Sequence, residues 1–399
     1  MATSEQLLDL LALQLGAFTF PVEAQAESPL NQSEDAAEVP TVRLHTAAAD
    51  LAQAVNDVRH WDNFNGASWT YNTSASNLCG LVTSPIADGA RFHVCKLRQT
   101  MDPVCAKYPR LEVIHKQGTL GISKQNLEDI KQELYVLCYE PIRSHENIVK
   151  LLGLGWMSVG PQGELCLPVL FMELSSLGSL RTFLRLNDIK ARSRMKLVRD
   201  IGQGLSVLHR AGIFHGDLKP DNVLVFIQQD GTLTAKIADF GSAILLSEMF
   251  NAADERWAHR VIHKPRGGSA LWNAPEWRKN LEASGLMALD CYSFGLLTWS
   301  VSIGGGSPFG SMSLDEIEKI KWQGDVVQYA NRSVCEHYEF ESSTWGQALR
   351  DEDQYELYMI SVAMPRKVFH ATLSLEPSHR SLSRAVKALS WDELYGYDQ

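Results

Sequence analysis

The sequence predicts an α+β fold in which strands dominate the first part of the folded region and helices the second. Strand and turn character begins near Trp69, and an apolar strand closes that region at residues 169–174. From Leu197 to Leu208, apolar residues recur at helical spacing, which predicts a long amphipathic helix. The order of these patterns places a strand-rich part before a helical part.

The most informative stretch is residues 215–222, His-Gly-Asp-Leu-Lys-Pro-Asp-Asn, which an Asp-Phe-Gly motif beginning at Asp239 follows. Two apolar runs and a turn lie between the motifs, and this pattern predicts a hairpin that brings Asp217, Asn222 and Asp239 together. Two carboxylates and a carboxamide suit a hard cation such as Mg²⁺. Lys219 adds a positive charge, and these are the groups that phosphoryl transfer needs.

These motifs, with Ala-Pro-Glu at 274–276, resemble the catalytic core of the protein kinase family. The resemblance implies a two-lobed kinase domain at 66–395. Its small β-rich N-lobe would span 66–172 and its larger helical C-lobe 176–395. An N-terminal helical and linker region at 1–65 would precede the domain.

The resemblance also assigns the catalytic roles. Asp217 would act as the base toward a substrate hydroxyl, and Lys219 would steady the transferred phosphoryl group. Asn222 and Asp239 would hold Mg²⁺, so that ATP-Mg is the implied cofactor. The implied activity is transfer of the γ-phosphoryl group of ATP to a serine or threonine of a protein substrate, because lysine at position 219 follows the serine/threonine kinase pattern.

The glycine-rich loop is the weakest part of the resemblance. When Val94 is aligned with the valine of Gly-x-Gly-x-x-Gly-x-Val, Gly89 falls on the second glycine. Ala87 and Phe92 then replace the first and third glycines, although glycine is what allows a backbone to approach phosphates closely. An ordinary β-turn at this place therefore stays open, and so does a pseudokinase that acts as a nucleotide-binding or scaffold protein.

A second phosphate contact is predicted from Glu133, which lies on the apolar face of a helix at 126–139. A buried carboxylate needs a cationic partner because an unpaired buried charge is costly. Lys116 lies 17 residues upstream, at the end of a strand-like run, and Lys96 lies 37 residues upstream. We predict that Lys116 is the partner and that the pair orients the α- and β-phosphates, with Lys96 as the competing candidate.

The strand at 169–174 resembles the segment that connects the lobes of a kinase. The resemblance places Met172 at the gatekeeper position. The backbones of Glu173 and Leu174 would then bond the edge of the adenine.

The resemblance also implies structural and regulatory roles for several residues of the helical part. Asp290 would hold the backbone of that loop, and Arg380 would pair with Glu276. Ser269 occupies the position at which the family keeps a serine or threonine that bonds the loop. Gly216 replaces the arginine that usually receives an activating phosphate, so we predict activity without phosphorylation of the segment from 239 to 276.

Composition narrows the class of protein further. The 399 residues carry a net charge of −10, which argues against a nucleic-acid-binding protein. Seven cysteines without a Cys-x-x-Cys pair predict reduced thiols and a cytoplasmic protein. The apolar run at 291–303 is too short to span a bilayer, so no integral membrane segment is expected. Ahead of the domain, helices are predicted at 3–16 and 42–64, with a linker at 21–40.

Overall fold

The structure is a computed structural model, and its elements fall into two compact units. The first consists of Met1–Glu140 with Lys150–Leu174, and the second of Pro141–Val149 with Ser175–Gln399. The residues that the structure describes are 41–43, 82–88, 91–97, 103–110, 112–114, 119–159, 165–246, 263–338 and 352–390. The helix predicted at 3–16 and the linker at 21–40 lie outside them.

Strands and one long helix build the first unit. Its strands are β1 (Thr41–Arg43), β2 (Val82–Asp88), β3 (Phe92–Leu97), β4 (Val104–Pro109), β5 (Glu112–Ile114), β6 (Thr119–Ser123), β7 (Leu151–Val159) and β8 (Leu165–Glu173). Five of them form an antiparallel sheet in the order β2-β3-β4-β8-β7. This sheet is the β-rich N-lobe that the sequence predicts.

A separate three-stranded sheet has the order β1-β6-β5. In it, Thr41 pairs with Ser123 and Arg43 with Gly121. The helix predicted from residue 42 is therefore wrong at its first two residues, which lie in β1, and the rest of it lies outside the described residues. Residues ahead of the predicted domain thus add a strand to the first unit.

The helix of the first unit is α1 (Lys124–Cys138). The Ser123 side chain caps its N-terminus by accepting a hydrogen bond from the Asn126 N–H at 3.1 Å. Its apolar stripe is buried, with Ile130 and Leu134 each 1% exposed. The predicted helix is confirmed, with its start two residues earlier than expected.

The second unit is mainly helical. Its helices are α2 (Glu140–Arg143, whose first residue belongs to the first unit), α3 (Leu180–Leu186), α4 (Ala191–Arg210), α5 (Ala283–Ser302), α6 (Leu314–Gln323), α7 (Val326–His337), α8 (Glu352–Tyr358), α9 (Met364–Thr372) and α10 (Leu382–Lys387). Its strands are β9 (Ile213–Phe214), β10 (Val223–Ile227), β11 (Leu233–Ile237) and β12 (Ile244–Leu245). Helix α5 is buried along most of its length and packs against α4 and α9, so it forms the centre of this unit.

Two expectations from composition concern the whole chain. Within the described ranges, no helix is both long enough and apolar enough to cross a bilayer. Five cysteines, at positions 95, 105, 138, 291 and 335, are free thiols. The free thiols at these five positions agree with the predicted reduced cysteines.

Candidate active site

The predicted catalytic loop, residues 215–222, lies between β9 and β10, and its backbone is held by a buried carboxylate on α5. Asp290 accepts hydrogen bonds from the His215 N–H at 2.8 Å and the Gly216 N–H at 3.1 Å. The same side chain lies 3.0 Å from His209 Nε2 and is 1% exposed. The role predicted for Asp290 is therefore confirmed.

Gly216 adopts a backbone conformation that other residues rarely take. Its φ is +80°, in the left-handed region, and a Cβ at this position would lie 2.6 Å from the carbonyl oxygen of Ser242. Glycine is the residue that meets both conditions without strain. The absence of an arginine here thus follows from a close approach between the catalytic loop and the segment after Asp239.

Asp217 is bonded through both of its carboxylate oxygens. Lys219 Nζ donates to Asp217 Oδ2 at 2.6 Å and to Ser269 Oγ at 2.8 Å. Ser269 Oγ donates to Asp217 Oδ1 at 3.0 Å. Asn222 Nδ2 donates to the Asp217 carbonyl oxygen at 2.8 Å and to Oδ2 at 3.1 Å. These bonds fix the orientation of the carboxylate and confirm the predicted contact of Ser269 with the loop.

The predicted hairpin places Asn222 and Asp239 at the same end of a two-stranded ladder. Strands β10 and β11 are antiparallel, with Val223 opposite Ile237. Beyond this pair, the Ala238 N–H donates to the Asn222 carbonyl oxygen at 2.9 Å. The predicted hairpin is therefore confirmed, with Asn222 and Asp239 at the same end of it.

Asp239 is the one non-glycine residue with a positive φ in the described part of the chain, at 64°. This conformation is uncommon outside glycine, and aspartate tolerates it better than most residues. Such conformations cost free energy and cluster at functional sites. The strained backbone at Asp239 is thus consistent with a functional role for this residue.

The donor set of Asn222 and Asp239 fits Mg²⁺. Because Asn222 Nδ2 donates to Asp217, the carboxamide oxygen is the atom that faces a cation. In the described ranges, no three His, Cys, Asp or Glu side chains cluster as a protein-only metal site. Mg²⁺ commonly takes one or two protein oxygens and completes its shell with water and substrate phosphates, so two ligands suffice.

In the first unit, Glu133 is paired with Lys107, a residue other than the two lysines that the sequence analysis considered. Lys107 Nζ donates to Glu133 Oε2 at 2.6 Å, and the two side chains are 7% and 0% exposed. The burial predicted for Glu133 is thus confirmed, but the prediction missed Lys107 as its partner. Lys116 itself lies outside the described residues, and Lys96 is exposed on β3.

The reason for the error is the chain between the lysine and the helix. Strands β5 and β6 are inserted between β4, which carries Lys107, and α1. The run around Val113 and Ile114 does form a strand, but this strand, β5, belongs to the small sheet. A signal for Lys107 was present in Val-Cys-Ala-Lys at 104–107, another apolar run that ends in lysine.

The predicted nucleotide loop lies at the hairpin of β2 and β3. Gly89 is outside the described residues, and Val94 on β3 lies directly opposite Lys107 on β4. Phe92, at the position of the third glycine, has its ring centroid 4.8 Å from Lys107 Nζ. Val94, Phe92 and Lys107 therefore share one face of the sheet.

Another ion pair joins this hairpin to α1. Arg91, at the start of β3, is bonded to the buried carboxylate of Asp129. Gln125 Nε2 donates to the other oxygen of that carboxylate at 2.6 Å. Asp129 lies one helical turn before Glu133, so both carboxylates face cations of the sheet.

The predicted adenine-binding strand is only partly free to bond a ligand. Met172 on β8 is buried opposite Cys105. The Glu173 N–H donates to the Lys150 carbonyl oxygen at 3.1 Å, and the Leu174 N–H donates to the Pro103 carbonyl oxygen at 2.8 Å. Because both N–H groups are engaged, the predicted bonds to adenine would have to be made by the carbonyl oxygens.

Cys105 is a residue that sequence reasoning missed. It lies on the same sheet face as Lys107, because the two are separated by one residue of β4. Burial raises the pKa of its thiol to about 11. The thiol thus stays protonated at neutral pH, and it donates to the Glu173 carbonyl oxygen at 3.9 Å.

The segment from Ser269 to Glu276 is fixed at both ends. Arg380 Nη2 donates to Glu276 Oε2 at 3.1 Å, and Nη1 bonds the other oxygen, as predicted. Lys321 on α6 donates to the carbonyl oxygens of Ala270, Leu271 and Asn273 at 3.1, 2.8 and 2.7 Å. No sequence pattern indicated this role for Lys321, because a lysine on an amphipathic helix usually faces solvent.

Comparison with known proteins agrees with the fold and the motifs. The model of the family described as "Protein tyrosine and serine/threonine kinase" matches residues 82–352. This match covers more than half of the 399 residues. The chain therefore belongs to this family of protein kinases, with the two-lobed α+β fold of its members.

Several curated proteins are similar at low identity. "Cysteine-rich receptor-like protein kinase 10" of Oryza sativa subsp. japonica is 30% identical over 234 residues, which are 54% of this chain and 32% of that protein. "Serine/threonine/tyrosine-protein kinase HT1" of Arabidopsis thaliana is 25% identical over 249 residues, 62% of this chain and 55% of that protein. "Receptor-interacting serine/threonine-protein kinase 1" of Homo sapiens is 29% identical over 160 residues, 39% and 22% respectively. The chain spans less than two thirds of the length of each.

Proposed function

We propose that this protein transfers the γ-phosphoryl group of ATP to a serine or threonine hydroxyl of a protein substrate. The observation that carries the proposal is the bonding of Asp217, whose carboxylate is oriented by Lys219, Asn222 and Ser269. A general base must be held within hydrogen-bond reach of the proton that it takes. The fixed carboxylate meets that need for a hydroxyl presented at the segment that contains Ser269.

Lys219 has a second role in this proposal. Its ammonium lies 2.6 Å from Asp217 Oδ2. A phosphoryl group attacked by a substrate hydroxyl that is hydrogen-bonded to Asp217 would therefore lie close to this positive charge. Charge stabilisation and positioning account for most of the rate of phosphoryl transfer. The ammonium therefore steadies the transferred group while Asp217 accepts the hydroxyl proton.

ATP-Mg is the proposed nucleotide, and each unit contains groups that suit it. In the second unit, Asn222 and Asp239 offer oxygens to Mg²⁺, which neutralises phosphate charge when bound. In the first unit, Lys107 with Glu133 would orient the α- and β-phosphates, while Gly89 and Val94 would line the phosphate loop. Met172, with the carbonyl oxygens of Glu173 and Leu174, would border the adenine.

Serine and threonine are favoured as acceptors for two reasons. Lysine stands at position 219, as in the serine/threonine pattern, and the human relative at 29% identity is named a serine/threonine-protein kinase. The name of the Arabidopsis thaliana relative at 25% identity also includes tyrosine. A second candidate function, nucleotide binding or scaffolding without transfer, is favoured by Phe92, which replaces a loop glycine and lies against Lys107.

Incubation with ATP-Mg and a panel of serine, threonine and tyrosine peptides tests the proposal. Mass spectrometry should find phosphate on serine or threonine residues, and chelation of Mg²⁺ should abolish it. Phosphate on tyrosine alone would contradict the acceptor class. ATP-Mg binding without any transfer would favour the binding or scaffold function.

A further inference from the structure

Phe92 stands at a position where the kinase pattern has glycine, and its ring contacts the lysine that the proposed function assigns to the phosphates. The distance from Lys107 Nζ to the ring centroid is 4.8 Å. An ammonium within about 6 Å of an aromatic centroid is attracted to the face of the ring. The substitution therefore fills space that glycine would leave open and adds a favourable contact there.

Strand register explains why the two side chains meet. Val94 is directly opposite Lys107, and Phe92 is opposite Pro109, in the antiparallel pair of β3 and β4. Phe92 and Lys107 are thus diagonal neighbours on one face, a separation that aromatic and long side chains can bridge. The contact follows from the fold of the hairpin and does not depend on an exposed, freely moving loop.

The ammonium of Lys107 is enclosed by these neighbours. Glu133 Oε2 lies 2.6 Å from it, and only 7% of the lysine side chain is exposed. Phe92 is half-buried, and its ring is a second close neighbour of the ammonium, at 4.8 Å from its centroid. A phosphate that approached Lys107 from the side of the ring would displace the ring from this contact.

We propose that Phe92 sets the affinity of this protein for nucleotide phosphates by covering the Lys107 ammonium. The inference rests on the proposed role of Lys107 toward ATP. Nucleotide binding then gives up the ring contact, and a cation–π contact of ordinary strength corresponds to about 2- to 30-fold in a dissociation constant. The effect is confined to ligands with phosphates, because adenosine has no phosphate that could bind the Lys107 ammonium.

The test is a comparison of Phe92→Gly with the parent protein by titration calorimetry, using ATP-Mg and adenosine as probes. Phe92→Gly should bind ATP-Mg about 2- to 30-fold more tightly and adenosine with unchanged affinity. Phe92→Leu, which keeps an apolar side chain in the strand, should show a smaller gain of the same sign. The Phe92→Leu variant also keeps the proposal testable if Phe92→Gly fails to fold.

Two further variants make the test specific. Phe226→Gly is a matched control, because the Phe226 ring lies 4.7 Å from Lys236 Nζ on the β10–β11 hairpin, and it should leave ATP-Mg affinity as in the parent. In a Lys107→Met background, Phe92→Gly should give no gain. Equal gains for ATP-Mg and adenosine, an undiminished gain without Lys107, or no gain in either Phe92 variant would overturn the proposal.

The outcome is separable from the proposed function. Tighter ATP-Mg binding by Phe92→Gly without phosphoryl transfer by any variant would support the role of Phe92 and reject the kinase activity. Transfer by the parent with unchanged ATP-Mg affinity in the Phe92 variants would do the reverse.

Discussion

Lys107 and Glu133 form a buried ion pair between a central strand and the long helix of the first unit. Their charged atoms are 2.6 Å apart, and the carboxylate side chain is fully buried. Removal of one partner from a buried pair is strongly destabilising, because it leaves an uncompensated buried charge. The pair is therefore both a structural tie and the proposed contact with the phosphates.

We expect Lys107→Met to lower both the free energy of unfolding and the affinity for ATP-Mg. The loss of stability should be about 3–5 kcal/mol, because Glu133 is left buried without its cation. Denaturant titration and calorimetry measure the two effects. The double variant Lys107→Met with Glu133→Gln should recover stability but not ATP-Mg affinity.

Lys96→Met is the matched control, since Lys96 is exposed on the neighbouring strand. It should leave both quantities near the parent values. If Lys96→Met or Lys116→Met weakens ATP-Mg binding as strongly as Lys107→Met does, the assignment from the structure is wrong.

The contrast between Lys107 and Lys116 shows where sequence reasoning reached its limit. The hairpin that carries Asn222 and Asp239 was predictable, because two apolar runs and a turn determine it locally. The partner of Glu133 was not, because strands β5 and β6 lengthen the connection between β4 and α1. An argument from residue spacing assumes that the strand with the lysine connects directly to the helix. Only the strand pairing shows that β5 and β6 belong to a separate sheet inserted between them.

Gly216 illustrates a second limit. The sequence shows a missing arginine, but its cause is the approach of the Ser242 carbonyl to the loop backbone. That approach joins residues far apart in the chain, so no local pattern records it. The hydrogen bonds that Asp290 accepts from the backbone of the same loop were predictable only because Asp290 lies in a family motif.

The Glu276–Arg380 pair should behave as a structural unit. Arg380→Met should reduce the free energy of unfolding by about 3–5 kcal/mol, because Glu276 loses its buried cation. Glu276→Gln combined with Arg380→Met should cost less than the sum of the single changes, since contacting residues couple. Denaturant titrations of the three variants measure this coupling, and strict additivity would show that the pair is not coupled.

Lys321 gives a pH-dependent prediction. Burial lowers the pKa of its ammonium to about 7, from 10.5 for an exposed lysine, and the nearby Glu318 partly opposes the shift. Between these values the unfolded chain binds a proton that the folded protein releases, so this group makes the free energy of unfolding rise with pH. The stability of the parent relative to Lys321→Met should therefore increase from about pH 7 to about pH 10.

Denaturant titrations of both proteins across that range measure the difference. A difference that stays constant with pH would show that the carbonyl oxygens of Ala270, Leu271 and Asn273 keep the ammonium charged throughout. Lys319→Met, two residues away on an exposed position of α6, is the control and should show no such trend.

Activity should not require phosphorylation of the segment from 239 to 276. Gly216 offers no charge to a phosphate, Ser242 is only 7% exposed, and Ser269 is bonded to Asp217. Ser247 lies outside the described residues. Phosphatase-treated parent protein and the double variant Ser242→Ala with Ser247→Ala should both retain phosphoryl transfer. A loss of about tenfold or more in both, the scale of one lost charge-assisted bond, would show that a phosphate receiver exists elsewhere.

The rate of phosphoryl transfer by Asp217→Asn, measured beside Asp221→Asn, tests the central claim most directly. The two substitutions are chemically identical and four residues apart, but Asp221 is half-exposed and paired with Arg181. Asp217→Asn should lose about 10²- to 10⁴-fold in rate while still binding ATP-Mg, and Asp221→Asn should transfer at nearly the parent rate. Equal rates for Asp217→Asn and the parent protein would contradict the assignment of Asp217 as the base.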